Sequence, residues 1–253
     1  MNNRPSTLLT RCLRLTRLVL HILRGLVVSA TVLPLVSPAR RHAIIRSWSR
    51  GLLAALDTRL IVQGAPLASE LAGALLVANH VSWMDIQAIH SVHAVRFVAK
   101  REIRDWPIFG WLAAQADTLF IERTRRQAAG HIVTTIADRL RNGDCICLFP
   151  EGTTSDGAVV QPFKGSLLQA AIEVNATVWP VAIRYPQADG DINKNMAYFG
   201  DLSLWQSIKR VLAEPAPTVE VKFLPPLVTS GLNRSEIAQH ARQAIAQALT
   251  RDY

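Results

Sequence analysis

The sequence predicts an α/β protein: a largely parallel sheet flanked by helices, with an N-terminal two-helix membrane-associating module. From residue 60 onward, short apolar runs typical of buried strands alternate with longer stretches of helical periodicity, which is the pattern of a parallel sheet. Before residue 60 this alternation is missing, and long apolar stretches carry regularly spaced arginines instead. We therefore expect two parts, the helices in residues 1–59 and an α/β domain in residues 60–253.

The N-terminal quarter carries the positive charge of the chain. The 253 residues include 28 Lys and Arg against 19 Asp and Glu, a formal net charge of +9. Ten arginines and the single acid Asp57 stand before residue 60, so this segment alone has a balance of ten minus one, or +9. A basic excess favours an anionic partner, and the strong hydrophobicity of the same segment favours a membrane surface. With aromatic residues at 6%, few side chains can stack on bases, so we expect no nucleic-acid partner.

Two amphipathic helices, broken near Pro34–Pro38, are predicted in this segment. The apolar stretch 18–36 has 19 residues, close to the ~20 that cross a bilayer, but it contains His21 and Arg24 and makes a poor single span. In helical phase, one face of the first helix is basic: Arg11, Arg14, Arg17, His21 and Arg24. The opposite face is apolar: Leu13, Leu20 and Val27. We expect the basic face to lie against anionic lipid headgroups; the alternative is that both helices simply pack on the main domain.

The α/β domain is predicted from seven strand-like runs and five helical stretches. The strand-like runs are 59–64, 73–80, 94–100, 117–123, 145–152, 178–185 and 218–227. The helical stretches are 82–92, 108–116, 125–143, 164–176 and 235–249. Because strands and helices alternate without repeats or a long linker, we treat this part as one domain.

The three cysteines, Cys12, Cys145 and Cys147, indicate a reducing compartment rather than a disulfide framework. Cys145 and Cys147 alternate within one predicted strand and therefore share a face, where we expect them to pack in the core. The sequence has no Cys/His spacing typical of zinc sites, and we expect no metal.

The stretch "NHVSWMD" places His80 at the end of a predicted strand and Asp85 at the start of the following helix. Ligands bind at the carboxyl ends of strands in such sheets, so His80 is a candidate site residue. One interpretation is structural: Ser82 caps the helix, and Asp85 lies three residues on, as in a capping box. The other is catalytic: Asp85 orients the imidazole of His80, whose second nitrogen takes a proton. The two interpretations are compatible, because one carboxylate can do both.

Two further blocks follow apolar strands. "TLFIERTRR" contains Arg123, which is either part of a solvated basic turn or a guanidinium fork for a phosphate. "FPEGTTSDG" contains Glu151, Gly152 and Thr153, which form either an ordinary turn or a polar loop that lets a ligand approach the backbone closely.

Together, "NHVSWMD", "RFVAKREIRDWPIFGWLAAQADTLFIERTRR", "FPEGTTSDG" and "VWPVAIRY" resemble the motifs of the glycerolipid acyltransferase family, specifically its bacterial 1-acylglycerol-3-phosphate acyltransferases. The resemblance covers roughly residues 60–225. It implies an α/β acyltransferase core behind a two-helix membrane anchor. It also implies that His80 is the catalytic base with Asp85 as its partner, and that Arg123 and the loop Glu151, Gly152 and Thr153 bind the glycerol phosphate of the acceptor.

The family's third block often continues with Arg after "EGT", but Thr154 stands at that place here. A phosphate contact is therefore either missing or supplied instead by Lys100, Arg125 or Lys164. "EGTTSDG" is also similar to the related lyso-ornithine lipid acyltransferases, which leaves two acceptors open.

The reaction implied by the resemblance is acyl transfer from a thioester, on acyl-CoA or acyl carrier protein, to the sn-2 hydroxyl of lysophosphatidic acid. The expected partners are these substrates and membrane lipids, with no metal or organic cofactor. The expected location is the cytoplasmic side of the inner membrane. A competing hypothesis from another class is a membrane-peripheral protein that only binds anionic lipids, for which His80→Ala would change no lipid-linked activity.

Overall fold

The computed structural model describes residues 5–122 and 126–250, with the backbone alone described for 126–129. Within these residues every predicted strand and helix of the α/β domain is present, so those predictions are confirmed. The strands are β1 Arg59–Gln63, β2 Leu75–Ala78, β3 Arg96–Lys100, β4 Leu119–Ile121, β5 Ile146–Leu148, β6 Val178–Arg184 and β7 Thr218–Phe223. The helices are α1 Leu8–Thr31, α2 Pro38–Ala55, α3 Met84–Val92, α4 Phe109–Gln115, α5 Arg126–Arg141, α6 Gln169–Glu173, α7 Leu204–Ala213 and α8 Arg234–Thr250.

The seven strands form one sheet in the order β1-β7-β6-β2-β5-β3-β4. All neighbouring pairs are parallel except β6 and β7, which confirms the largely parallel sheet. The register of the edge pair sets Arg59 opposite Thr218. Strand β2 lies in the middle of the sheet, so the carboxyl end of this strand is flanked by those of β5 and β6.

Helices cover both faces of the sheet, and the side chains of β2 divide between the two cores. Leu76 and Ala78 join the core beneath α2, α3 and α7, while Leu75 and Val77 join the core beneath α5, α6 and α8. Successive side chains of a strand point to opposite faces, so a strand covered on both sides must be apolar throughout. This explains why the run "LLVA" is continuously hydrophobic and fully buried.

The predicted helix pair is also present, and its break falls where the prolines predict it. After α1 the chain makes a short 3₁₀ turn, Leu33–Leu35, and α2 begins at Pro38, whose fixed φ and missing N–H suit a first helical position. The pair is not separate from the sheet, because Leu18, Leu52 and Leu56 belong to the same hydrophobic core as the sheet and α3.

Two basic residues of α1, Arg14 and His21, face the protein rather than the lipid headgroups that the sequence predicts. The guanidinium of Arg14 is buried: its Nε lies 2.9 Å from Asp57 Oδ2, and Nη1 donates to the carbonyl oxygens of Leu212 and Glu214. His21 lies against Trp48 of α2. The expectation that this face contacts lipid headgroups is therefore wrong for Arg14 and His21. Asp57 and the carbonyl groups at the end of α7 attract the arginine, since helix C-termini favour cations.

The opposite, apolar face of α1 is the one that is exposed. Leu13, Leu20 and Val27 are 48%, 60% and 62% exposed, respectively. The stretch Leu8–Leu35 is long and apolar enough to cross a membrane, by length and composition alone, and its most apolar 18-residue window has a mean hydropathy of 1.9.

Helix α7, between β6 and β7, is not predicted from the sequence. Ser203 begins it with a capping box, in which its hydroxyl accepts from the Gln206 N–H and the Gln206 side chain accepts from the Ser203 N–H. The helix has only ten residues, and its buried side, Ser207, Val211 and Leu212, packs into the core shared with α3.

Candidate active site

His80 lies just beyond the carboxyl end of β2, and the chain turns there so that its ring meets the first turn of α3. The distance between His80 Nδ1 and Asp85 Oδ2 is 2.7 Å, with Asp85 fully buried. Positions five apart on one helix diverge by about 140° and could not meet in this way. The contact forms because His80 precedes the helix and Asp85 lies within it.

The carboxylate of Asp85 accepts three further hydrogen bonds. The backbone N–H groups of Val81 and Ser82 donate to Oδ2 at 2.7 and 3.0 Å, and the hydroxyl of Tyr185 donates to Oδ1 at 2.6 Å. The bond from Ser82 N–H is the one expected of a helix-start carboxylate, and Ser82 Oγ in turn accepts from the Met84 N–H. Asp85 therefore fixes the start of α3 and orients His80 at the same time.

The imidazole of His80 is held on two sides. Its ring stacks on Phe149, with ring centroids 3.9 Å apart and planes 10° apart, and its side chain is 18% exposed. Because Nδ1 faces a carboxylate acceptor, it carries the hydrogen, and Nε2 carries the lone pair. Within the part of the chain that the structure describes, Nε2 has no hydrogen-bond partner. The arrangement can accept a proton at Nε2 and stabilise the resulting imidazolium through Asp85.

Glu151, from the loop after β5, holds the backbone of His80. Its Oε1 accepts from the His80 N–H at 2.8 Å, and its Oε2 accepts from the Gln161 N–H at 3.2 Å. The side chain is buried, and burial raises its pKa above the ordinary value, although these two bonds act in the opposite direction. Both oxygens thus serve the protein backbone in this structure. The predicted contact of Glu151 with the acceptor stays a prediction.

Of the remaining predicted site residues, Gly152, Thr153 and Lys100 lie at or beyond the carboxyl ends of β5 and β3. Gly152 has φ +76° in a tight turn whose N–H donates to the Phe149 carbonyl oxygen, a conformation that favours glycine. Thr153 follows it and is exposed, and Lys100 ends β3 with an exposed side chain. Arg123 lies outside the described residues, as does Arg125. The roles of these residues in binding stay predictions.

Three residues of the site are not predicted from the sequence: Tyr185, Phe149 and Asn79. The side chain of Asn79 donates to the Ile183 carbonyl oxygen at 2.9 Å and accepts from its N–H at 2.8 Å, which joins the loop after β2 to β6. The available signal is position, since each of these residues lies at or just beyond the end of a strand that carries a site motif.

Cys145 and Cys147 offer no nucleophile. Cys145 and Cys147 are unpaired and pack on the core, as predicted from their shared strand face. Burial raises the pKa of the Cys145 thiol to about 12, and that of Cys147 lies well above its ordinary value for the same reason. A thiol that stays protonated is a poor nucleophile. Among residues 5–122 and 126–250, no group of three or more His, Cys, Asp and Glu could bind a metal ion.

Comparison with known proteins identifies the family of the chain. Residues 59–184 match the family model described as Acyltransferase. The chain is 37% identical to a lyso-ornithine lipid O-acyltransferase from Pseudomonas aeruginosa over 214 residues, 85% of this chain and 81% of the relative. It is 34% identical to a 1-acyl-sn-glycerol-3-phosphate acyltransferase from Neisseria meningitidis, covering 88% of this chain and 87% of the relative.

The fold is also that of a solved structure. The crystal structure of the 1-acyl-sn-glycerophosphate (LPA) acyltransferase PlsC from Thermotoga maritima matches with a TM-score of 0.66 at 21% identity. The match covers 94% of this chain and 97% of that one, so the N-terminal helices and the sheet are included. With its site geometry and these relatives, the chain belongs to the acyltransferase family.

Proposed function

We propose that the protein transfers a fatty acyl group from an acyl thioester to the sn-2 hydroxyl of lysophosphatidic acid, which gives phosphatidic acid. The observation that carries this proposal is the hydrogen bond of 2.7 Å between His80 and the buried Asp85, with Nε2 of the imidazole left for a substrate. The name of the relative from Neisseria meningitidis supports the choice of acceptor.

In this mechanism His80 Nε2 takes the proton of the acceptor hydroxyl while the oxygen attacks the thioester carbonyl carbon. The imidazolium, stabilised by Asp85, then protonates the departing thiolate as the carbon–sulfur bond breaks. Base catalysis of this kind typically contributes ~10²–10⁴-fold to the rate. No covalent acyl-enzyme is formed, in keeping with the protonated thiols of Cys145 and Cys147. The donor is acyl-CoA or acyl carrier protein, and the reaction needs no metal or organic cofactor.

The acceptor is bound along the carboxyl edge of the sheet. Arg123 and Lys100 attract its phosphate, and the loop with Gly152 and Thr153 lies beside its glycerol. Charge-assisted contacts of this type fix the hydroxyl relative to His80, and correct placement is a large part of catalysis.

The exposed apolar face of α1 lies in the membrane interface, where both the lysolipid and the product reside. Leu13, Leu20 and Val27 supply this contact, and Arg17, 46% exposed, lies beside it near the headgroups. The active site is on the cytoplasmic side of the inner membrane, which suits a chain with three free cysteines.

A second acceptor, lyso-ornithine lipid, is supported by Thr154. The loop reads Glu151, Gly152, Thr153, Thr154, without the arginine that often follows in phosphatidate-forming relatives. The relative from Pseudomonas aeruginosa is an O-acyltransferase for this lipid. The same base would act on a hydroxyl of a different headgroup.

The test is an acyl-transfer assay on membranes that contain the protein or its His80→Ala variant. The acceptors are lysophosphatidic acid, lyso-ornithine lipid and lysophosphatidylcholine, each with acyl-CoA and with acyl carrier protein as donor. We expect conversion of lysophosphatidic acid to fall ~10³-fold or more in the variant, since the base is removed.

The matched control is His240→Ala, an exposed histidine of α8, which we expect to keep full activity. If the unmodified protein prefers lyso-ornithine lipid, the proposed mechanism stands and lyso-ornithine lipid is the acceptor instead of lysophosphatidic acid. Conversion that survives in His80→Ala at equal membrane content would overturn the proposed base and favour a protein that only binds lipid.

A further inference from the structure

We propose that Tyr185 is a positioning residue of the acyl transfer: its hydroxyl holds the second oxygen of Asp85 so that the first faces His80. This inference rests on the proposed function, because it assigns a role in the same reaction. Tyr185 is 100 residues from Asp85 in the sequence, and its hydroxyl lies 2.6 Å from Asp85 Oδ1. A bond of this length between a hydroxyl and a carboxylate is a strong, charge-assisted one.

The two oxygens of Asp85 are not equally supported. Oδ2 accepts from His80 Nδ1 and from the N–H groups of Val81 and Ser82. Within the described residues, Oδ1 accepts from Tyr185 alone. Loss of the Tyr185 hydroxyl therefore leaves Oδ1 of a fully buried carboxylate without a donor in the described residues, and the carboxylate is then held through Oδ2 alone.

Tyr185 is itself held in place before any substrate binds. Asn79 fixes the backbone of Ile183, two residues earlier in the chain, and the Tyr185 carbonyl oxygen accepts from the Asn193 N–H at 2.8 Å. The side chain is 1% exposed and belongs to the core beneath α3. A phenylalanine would fill this apolar volume, so the hydroxyl serves the carboxylate rather than the packing.

The hydroxyl remains a donor over the working pH range. Burial, together with the neighbouring negative charge of Asp85, raises the pKa of Tyr185 well above its ordinary value. A protonated donor on Oδ1 spreads the charge of the carboxylate and weakens its pull on the proton of His80 Nδ1. Removal of this donor concentrates the negative charge near His80 and stabilises the imidazolium, so we expect the Tyr185→Phe enzyme to need a higher pH for its full rate.

The experiment compares Tyr185→Phe with the unmodified protein in the lysophosphatidic acid assay, measured as kcat, KM and the pH dependence of kcat. We expect kcat to fall about 10- to 100-fold with KM values within about twofold, because the base is misplaced while the binding groups are untouched. We expect the acidic limb of the pH profile to move to higher pH. A merely structural role would lower the amount of folded enzyme and leave the midpoint of the limb unchanged.

The matched control is Tyr198→Phe, which removes the hydroxyl of a half-buried tyrosine that has no hydrogen bond to Asp85 in the described residues, and it should change neither kcat nor the acidic limb of the pH profile. The thermal midpoint of each variant separates loss of fold from loss of rate. Tyr185→Phe with unchanged kcat, with an unmoved limb, or with a change in KM alone would overturn the inference. If the unmodified protein acylates none of the acceptors, or if His80→Ala remains active, the proposed function fails. This outcome is distinguishable from failure of the inference about Tyr185, in which the unmodified protein is active and depends on His80.

Discussion

His80 and His90 lie at the two ends of α3, and their surroundings make them chemically different. Both rings contact an aromatic side chain, Phe149 for His80 and Phe97 for His90. His80 shares a hydrogen with Asp85, whereas Nδ1 of His90 is buried without a partner in the described part of the chain. Burial, with a smaller contribution from nearby His42, lowers the pKa of His90 to about 3.

The difference shows what makes a histidine suitable for proton transfer in this fold. Both histidines contact an aromatic ring and are largely shielded from solvent, and of the two only His80 has a carboxylate partner. A histidine that must accept and release a proton near neutral pH needs a group that stabilises its charged form. His90 lacks such a group and remains a neutral core residue throughout the physiological range.

The largest expected effect comes from removing the carboxylate that separates the two histidines. Asp85→Asn keeps the size of the side chain but leaves His80 in the wrong tautomer and without a stabilising charge. We expect activity to fall about 10⁴-fold, as for the same change in Ser-His-Asp triads. The measurement is initial velocity with lysophosphatidic acid at equal membrane content. Asp138→Asn, an exposed residue of α5, should keep full activity. Comparable losses in both variants would contradict a specific role for Asp85.

An intermediate effect is expected when the backbone of His80 loses its acceptor. In Glu151→Gln only one side-chain oxygen remains for the two N–H donors of His80 and Gln161, and the amide nitrogen faces the other. A hydrogen bond to a charged group contributes about 1.5–3 kcal/mol, so we expect activity to fall about 10- to 100-fold and the thermal midpoint to drop by several degrees.

Glu173→Gln, at an exposed position at the end of α6, is the matched control. A loss of lysophosphatidic acid affinity, seen as a raised KM with unchanged kcat, would instead favour the predicted contact of Glu151 with the acceptor.

The smallest effect concerns stability at the other end of α3. The pKa of His90 is about 3 in the folded protein against an ordinary 6.5. Between these two pH values His90 is protonated in the unfolded chain but neutral in the folded protein. The contribution of neutral, buried His90 to the free energy of unfolding is therefore fully present above pH 6.5, and it is lost as the pH falls from 6.5 towards 3. At pH 5 the loss is about 2 kcal/mol in the free energy of unfolding.

His90→Leu removes this titration, so its stability should fall less than that of the unmodified protein between pH 7.5 and pH 5. Urea unfolding in detergent at the two pH values measures the difference. Equal losses of stability in the two proteins would show that His90 binds protons equally in the folded and the unfolded protein, which would contradict the prediction.

Local patterns in the sequence are sufficient for the strands, for most helices and for the placement of His80 at a strand end. The continuous apolar run of β2 predicts that this strand is covered on both faces, and the alternation of Cys145 and Cys147 predicts that both pack on one core. His80 and Asp85 are five residues apart, so their contact can also be predicted from local spacing. What these features share is that period and spacing along the chain decide them.

The residues that are not predicted depend on contacts between distant parts of the chain. Tyr185 reaches Asp85 because β6 lies next to β2, a neighbour relation that no periodic pattern encodes. The inward turn of Arg14 likewise depends on Asp57 and on carbonyl groups near residue 212. Helical phase gives the relative directions of the side chains on α1, but it does not say which side of the helix meets the protein.

The pairing of β1 with β7 has a consequence for synthesis of the chain. Residues 59–63 can enter the sheet only when residues 218–223 exist, since Arg59 lies opposite Thr218 and β7 is the only strand beside β1 among the described residues. At about 5–20 residues per second, the ribosome needs roughly 8–32 s to make the intervening chain. During this interval α1 also lacks α7, which supplies the carbonyl acceptors of Arg14. The apolar N-terminus is thus available to a membrane surface before the domain that it belongs to can close.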